Sequence, residues 1–153
     1  MKEGFSIKFI KVLLILTIFF CGVMLFHYSI AGLFAPGELY GNISDILVAL
    51  IIIVIYLIIS WNLLKIVYII DSTPFTLKNV KSFKIIGYLM MLLSIIDGIV
   101  NFKEKSNLQI MSIGYGSLKG SRIFYLILGL LSLVLAEIFK KAVKIKDEND
   151  LTI

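Results

Sequence analysis

Residues 46–70 read ILVALIIIVIYLIISWNLLKIVYII, a run in which Lys65 is the single charge. Lipid offers backbone amides no water to bond, so an apolar run of this length has one stable form, a membrane-crossing helix. About 20 residues suffice to cross roughly 30 Å of hydrocarbon. Three more runs flank it. Residues 10–34 are broken only by Lys11, Thr17, His27, Tyr28 and Ser29, residues 83–102 contain Lys84 and Asp97, and residues 123–139 contain Glu137. We therefore expect an all-α membrane protein, a four-helix transmembrane bundle. Its spans are expected near 10–34, 46–70, 83–102 and 122–141, followed by a short tail, 142–153.

Composition points the same way. The 153-residue chain is 59% hydrophobic and 16% charged, with a mean hydropathy of +1.01. Soluble domains run near 45–50% apolar and about 25% charged. The length leaves no room for a soluble catalytic domain beside four spans, and Cys21, the one cysteine, rules out a disulfide scaffold. No repeat or low-complexity segment occurs.

The net charge of +5 has to be read by position. Lys2, Lys8 and Lys11 precede the first span, Lys65, Lys78, Lys81 and Lys84 surround the turn after the second, and Lys140, Lys141, Lys144 and Lys146 follow the fourth. Against these eleven stand Lys103, Lys105, Lys119 and Arg122 on the other side. The positive-inside rule then sets both termini in the cytoplasm. The first span is expected to stay uncleaved, being longer than most signal-peptide cores, and Phe20 before Cys21 fails the lipoprotein pattern.

The loops carry turn chemistry. Ala35-Pro36-Gly37 breaks the first outer loop, and Ser44 is the expected N-cap of the second helix. Asn42-Ile43-Ser44 also matches a glycosylation sequon, a pattern that arises often by chance. In the inner turn, Asp71 to Thr76, Thr76 is the expected N-cap of an amphipathic entry turn, with Leu77, Val80 and Phe83 on one face and Lys78, Lys81 and Lys84 on another. The second outer loop, 103–122, holds Leu108, Ile110, Ile113 and Tyr115, and is too apolar to hang free. Its Gly114-Tyr115-Gly116 resembles a potassium filter only superficially, with no pore helix beside it.

Few residues could carry chemistry. Asp97 lies about 14 residues, or roughly 21 Å of helix, beyond Phe83, in the outer third of its span. A charge there needs a partner or a water path. Arg122 is the natural partner, and the pair reads either as a proton or cation site or as an ion pair pinning the third helix to the fourth. Glu137 precedes Lys140 and Lys141 by three and four residues, the favourable sense for helical ion pairs. His27 has no second ligand at metal spacing, Trp61 with Tyr56 and Tyr68 reads as an interfacial anchor, and Ser60 and Asn62 could bond across helices. No phosphate loop, nucleophile elbow or metal-protease helix is present, so no enzyme, metal or cofactor is expected. The tail is more telling: four lysines from 140 to 146, then Asp147-Glu148-Asn149-Asp150 and Leu151-Thr152-Ile153. It reads as a topology anchor or as a partner dock.

Two stretches, Thr73-Pro74-Phe75-Thr76 with Asn79-Val80-Lys81, and Lys146 to Ile153, together resemble the YoaS-like bacterial membrane proteins, catalogued as domain of unknown function 2975. The likeness runs through essentially the whole chain. Thr73 stands where members often have Asn or Ser, and lysines follow the fourth span where many have arginine. The resemblance implies four spans, no established activity, and genes often adjacent to one for a small Cro/CI-like helix-turn-helix regulator. It therefore implies docking of such a regulator at the cytoplasmic side, with Pro74, Phe75, Thr76, Asn79, Lys81, Asp150, Leu151 and Thr152 as the candidate contacts. A rival expectation is a small transport or peptide-immunity protein using Asp97, Arg122 and the outer loops. A third is a structural subunit of a larger complex or a homo-oligomer. The expected setting is the bacterial cytoplasmic membrane, with the bilayer as first partner and no direct contact with nucleic acid.

Overall fold

Between residues 5 and 34 no proline interrupts the apolar run, and in the computed structural model this stretch is one helix, α1 (Phe5–Phe34). Three more follow: α2 (Ile43–Ile70), α3 (Leu77–Val100) and α4 (Gly120–Asp150), with two short strands, β1 (Gln109–Ile113) and β2 (Gly116–Lys119), before the last. The structure describes residues 5–34, 42–70, 75–100, 109–113 and 116–150. All four helices are long and apolar enough to cross a membrane. The chain divides into two compact units, residues 1–74 and 75–153.

In the first unit α1 packs antiparallel to α2. At one end the buried Lys11 places its ammonium 4.7 Å from the centroid of the Tyr68 ring, a cation–π contact between the two helices. At the other end a Cβ on Gly32 would come within 3.3 Å of Ile46 Cγ2. Hydroxyls inside the runs bond to their own helix: Thr17 donates to the Leu13 carbonyl at 2.9 Å and Ser29 to that of Leu25 at 2.7 Å. Asn62 does the same toward Ile58 at 2.8 Å, so its amide serves α2 itself rather than the interhelical bond expected of it.

Helix starts differ from expectation at one place. The cap of α2 is Asn42, two residues before Ser44: its carbonyl accepts from the amides of Asp45 at 2.9 Å and Ile46 at 3.3 Å, while its own amide donates to Asp45 Oδ2 at 3.1 Å. Asp45 at the third helical position thus caps the Asn42 amide with its carboxylate and places negative charge against the helix dipole, which Ser44 could not do. Asp45→Ala is expected to lower stability by about 1 kcal/mol, read as a shifted thermal midpoint. At α3 the expected cap holds, with the amides of Asn79 and Val80 donating to the Thr76 carbonyl at 3.1 and 3.3 Å and Asn79 also reaching Thr76 Oγ1 at 3.4 Å. The helix therefore begins six residues before its apolar run.

The second unit pairs α3 with α4, antiparallel. Between them the apolar connecting segment forms a hairpin rather than a plain loop: β1 and β2 are antiparallel, with Met111 opposite Leu118, Ser112 opposite Ser117, and a register shift between Gln109 and Met111. The period-two alternation Met111-Ser112-Ile113 and the glycine-bearing connection are a hairpin signal. Gly114 and Tyr115 lie outside the described residues. Nor does α4 stop at its apolar run; residues 142–150 continue it as helix, so most of the expected tail belongs to α4.

Candidate functional site

Both ends of the α3–α4 hairpin gather polar and charged groups, and a glycine contact joins the helices between them. Gly87 and Gly129 bring the two backbones together: a Cβ on Gly87 would stand 2.7 Å from Leu133 Cγ and 3.0 Å from the Gly129 carbonyl oxygen. Close approach at small residues is how helices associate in lipid, where burial of apolar surface supplies no drive.

At the Asp97 end, Arg122 Nε lies 3.9 Å from Asp97 Oδ2. The side chains are 14% and 21% exposed for Asp97 and Arg122, so the pair is largely removed from solvent. Ser121 Oγ donates to Asp97 Oδ2 at 3.2 Å, Arg122 Nη2 donates to the Gly98 carbonyl at 3.4 Å, and Ser94 Oγ donates to the Arg122 carbonyl at 3.0 Å. Gly98 leaves room for the guanidinium, which a Cβ there would meet at 3.4 Å. The structure thus brings Asp97 and Arg122 together and adds Ser94, Gly98 and Ser121. Neither serine is legible in the sequence, because each bond crosses between α3 and α4, 24 to 28 residues apart in the chain.

At the other end an aromatic cluster closes the helices. Phe139 of α4 lies 5.1 Å, centroid to centroid, from Phe83 and 5.7 Å from Phe75, both rings tilted by about 43–44°. Beside it Glu137 Oε1 lies 3.4 Å from Lys84 Nζ and Oε2 lies 4.0 Å from Lys140 Nζ. Glu137 is thus a bridge between helices as well as the intrahelical partner expected of it. Further along, Lys144 and Glu148 pair at 3.6 Å on the surface of α4.

The proposed docking residues fare unequally. Phe75, 46% exposed, and Lys81 are at the surface, while Thr76 is occupied as the cap of α3. Asn79 must be withdrawn as a surface contact: it is 0% exposed, because the register set by Thr76 turns it inward together with Val80 and Ser82. Pro74, Leu151 and Thr152 lie outside the described residues, and Asp150 is the last residue of α4. Among the described residues no three His, Cys, Asp or Glu side chains gather in a way that could hold a metal ion.

No curated protein and no solved structure matches the chain. One family model does, described as "Protein of unknown function (DUF2975)", over residues 10–153. With nearly its whole length matched, and with residues 71–76 and the end of α4 both inside the match, the chain belongs to the DUF2975 family.

Proposed function

We propose that this is a non-enzymatic protein of the bacterial cytoplasmic membrane, with both termini inside, that holds a small cytoplasmic helix-turn-helix transcription regulator. The observation that carries the reading is the length and ending of α4. Its 31 residues extend about 46 Å, roughly 15 Å more than the hydrocarbon requires. The excess ends in Asp147, Glu148 and Asp150, with no basic residue in the last turn. Acidic groups at a helix C-terminus oppose the macrodipole, at about 0.3–1 kcal/mol each when unscreened. A basic partner would reverse that penalty, and DNA-binding surfaces are basic. The rings of Phe75, Phe83 and Phe139 hold the base of this extension, and Phe75 is itself exposed.

A second reading, transport or peptide immunity, is favoured by one observation, the largely desolvated Asp97–Arg122 pair with its serines. In-cell crosslinking of the full chain, a copy lacking 147–153 and an Asp97→Asn copy separates the two. A helix-turn-helix protein recovered with the first and third and lost with the second supports regulation. Recovery of none from all three removes it, and loss of transport or immunity in the Asp97→Asn copy alone would favour the rival.

A further inference from the structure

The Lys81–Lys141 end of the α3–α4 hairpin carries a feature that needs no protein partner. A groove of about 420 Å³ runs along α4, lined by Leu130, Leu133, Val134, Glu137, Ile138 and Lys141. Their spacing of three and four residues is a single helix face. Leucine and valine line it toward the middle of the span, and its charged residues come at one end, so it is an apolar trough with a polar mouth.

The charge at that mouth is positive. Glu137 is already engaged by Lys84 at 3.4 Å and Lys140 at 4.0 Å. Lys141 makes no ion pair among the described residues, and neither do Lys78 and Lys81, exposed on α3 within two turns before Lys84. Lys141 therefore stands at the mouth of the trough, and on α3 Lys81 lies one helical turn from Lys84, the residue that bridges to Glu137. Basic pockets between membrane helices take anionic lipid headgroups. A single phosphate placed midway would meet the Glu137 carboxylate. Two phosphates on a short linker can each take one helix's lysines and leave the bridge intact.

We propose that this end of the hairpin binds a diphosphate phospholipid of the cardiolipin class, with its phosphates on Lys81 and Lys141 and one acyl chain along Leu130, Leu133, Val134 and Ile138. The inference shares Lys81 with the regulator reading but does not rest on it, since it uses neither the acidic end of α4 nor Asp97.

The test uses the full chain purified in detergent and native mass spectrometry with added cardiolipin, phosphatidylglycerol or phosphatidylcholine. Cardiolipin is expected to be retained ahead of phosphatidylglycerol, and phosphatidylcholine least. Each surface lysine contributes about fivefold to anionic lipid binding, so the double variant Lys81→Gln/Lys141→Gln should lower cardiolipin retention about thirtyfold. Lys144→Gln, whose lysine already pairs with Glu148, should leave it unchanged. Equal retention of cardiolipin and phosphatidylcholine, or a double variant that behaves as the parent, overturns the proposal. Equal retention of cardiolipin and phosphatidylglycerol overturns its two-phosphate form. Displacement of cardiolipin by an equal concentration of inorganic pyrophosphate overturns the lipid in favour of a soluble anion.

Discussion

Valine at Gly129 is expected to part α3 from α4 near their crossing and to lower the stability of the hairpin by about 3 kcal/mol. A Cβ on Gly129 would stand 3.0 Å from the Gly87 carbonyl oxygen, 3.0 Å from Met91 Cγ and 3.3 Å from Met90 Cβ. The methionine end can swing away, but the carbonyl is held by its own helix and the two γ-methyls of valine crowd it further. Valine gains only a few tenths of a kcal/mol in helix propensity over glycine, too little to compensate. Alanine at Gly87 should be milder because it adds no γ-methyls, although its Cβ would still press on Leu133 Cγ at 2.7 Å and the Gly129 carbonyl oxygen at 3.0 Å. Titration of the purified chain with a denaturing detergent, followed by circular dichroism, reads both variants. A Gly129→Val midpoint equal to that of the parent would show that the helices do not depend on this contact.

Arg122→Leu is expected to cost about 2–3 kcal/mol, because it strands the Asp97 carboxylate beside Ser121 with its guanidinium partner gone. The figure lies below the roughly 3–5 kcal/mol seen when one member of a fully buried pair is removed, since both side chains keep some exposure. Asp97→Asn should be gentler: arginine has a long stem that can carry its charge toward water. The double variant Asp97→Asn/Arg122→Leu should recover most of what Arg122→Leu loses, and that coupling is the signature of a direct pair. Strict additivity of the two single changes would mean that the residues stabilise α3 and α4 separately.

The helices were legible because a long apolar run has only one way to satisfy its amides in lipid, and residues 46–70 state that without a competing pattern. Thr76 was legible as a cap for a similar reason, since a hydroxyl residue there directly precedes an amphipathic turn. What escaped depended on contacts between segments or on local choices among near-equals. Asn42 and Ser44 both suit a cap, and only the bond with Asp45 decides between them. Lys84 and Glu137 are 53 residues apart, so their bridge becomes visible only once α3 and α4 are laid antiparallel. The same is true of Gly87 and Gly129. Asn79 is a candidate contact only through the family resemblance of its stretch, and that resemblance carries no helix register, which turns it inward. Asp97 and Arg122 were legible as partners because few charges occur so deep in this chain, which leaves little choice.

The hairpin character of the second unit has a consequence for biosynthesis. The ribosome completes α3 at Val100, with Asp97 near its far end, 22 residues before Arg122 emerges. Delivered alone, that helix would carry an unmatched carboxylate into the bilayer. Delivered together with α4, it arrives with the guanidinium alongside, and the two helices cross as an almost neutral couple. The insertion machinery should therefore hold α3 in its aqueous channel until α4 is available, so that the folding of this unit and its entry into the membrane are one event.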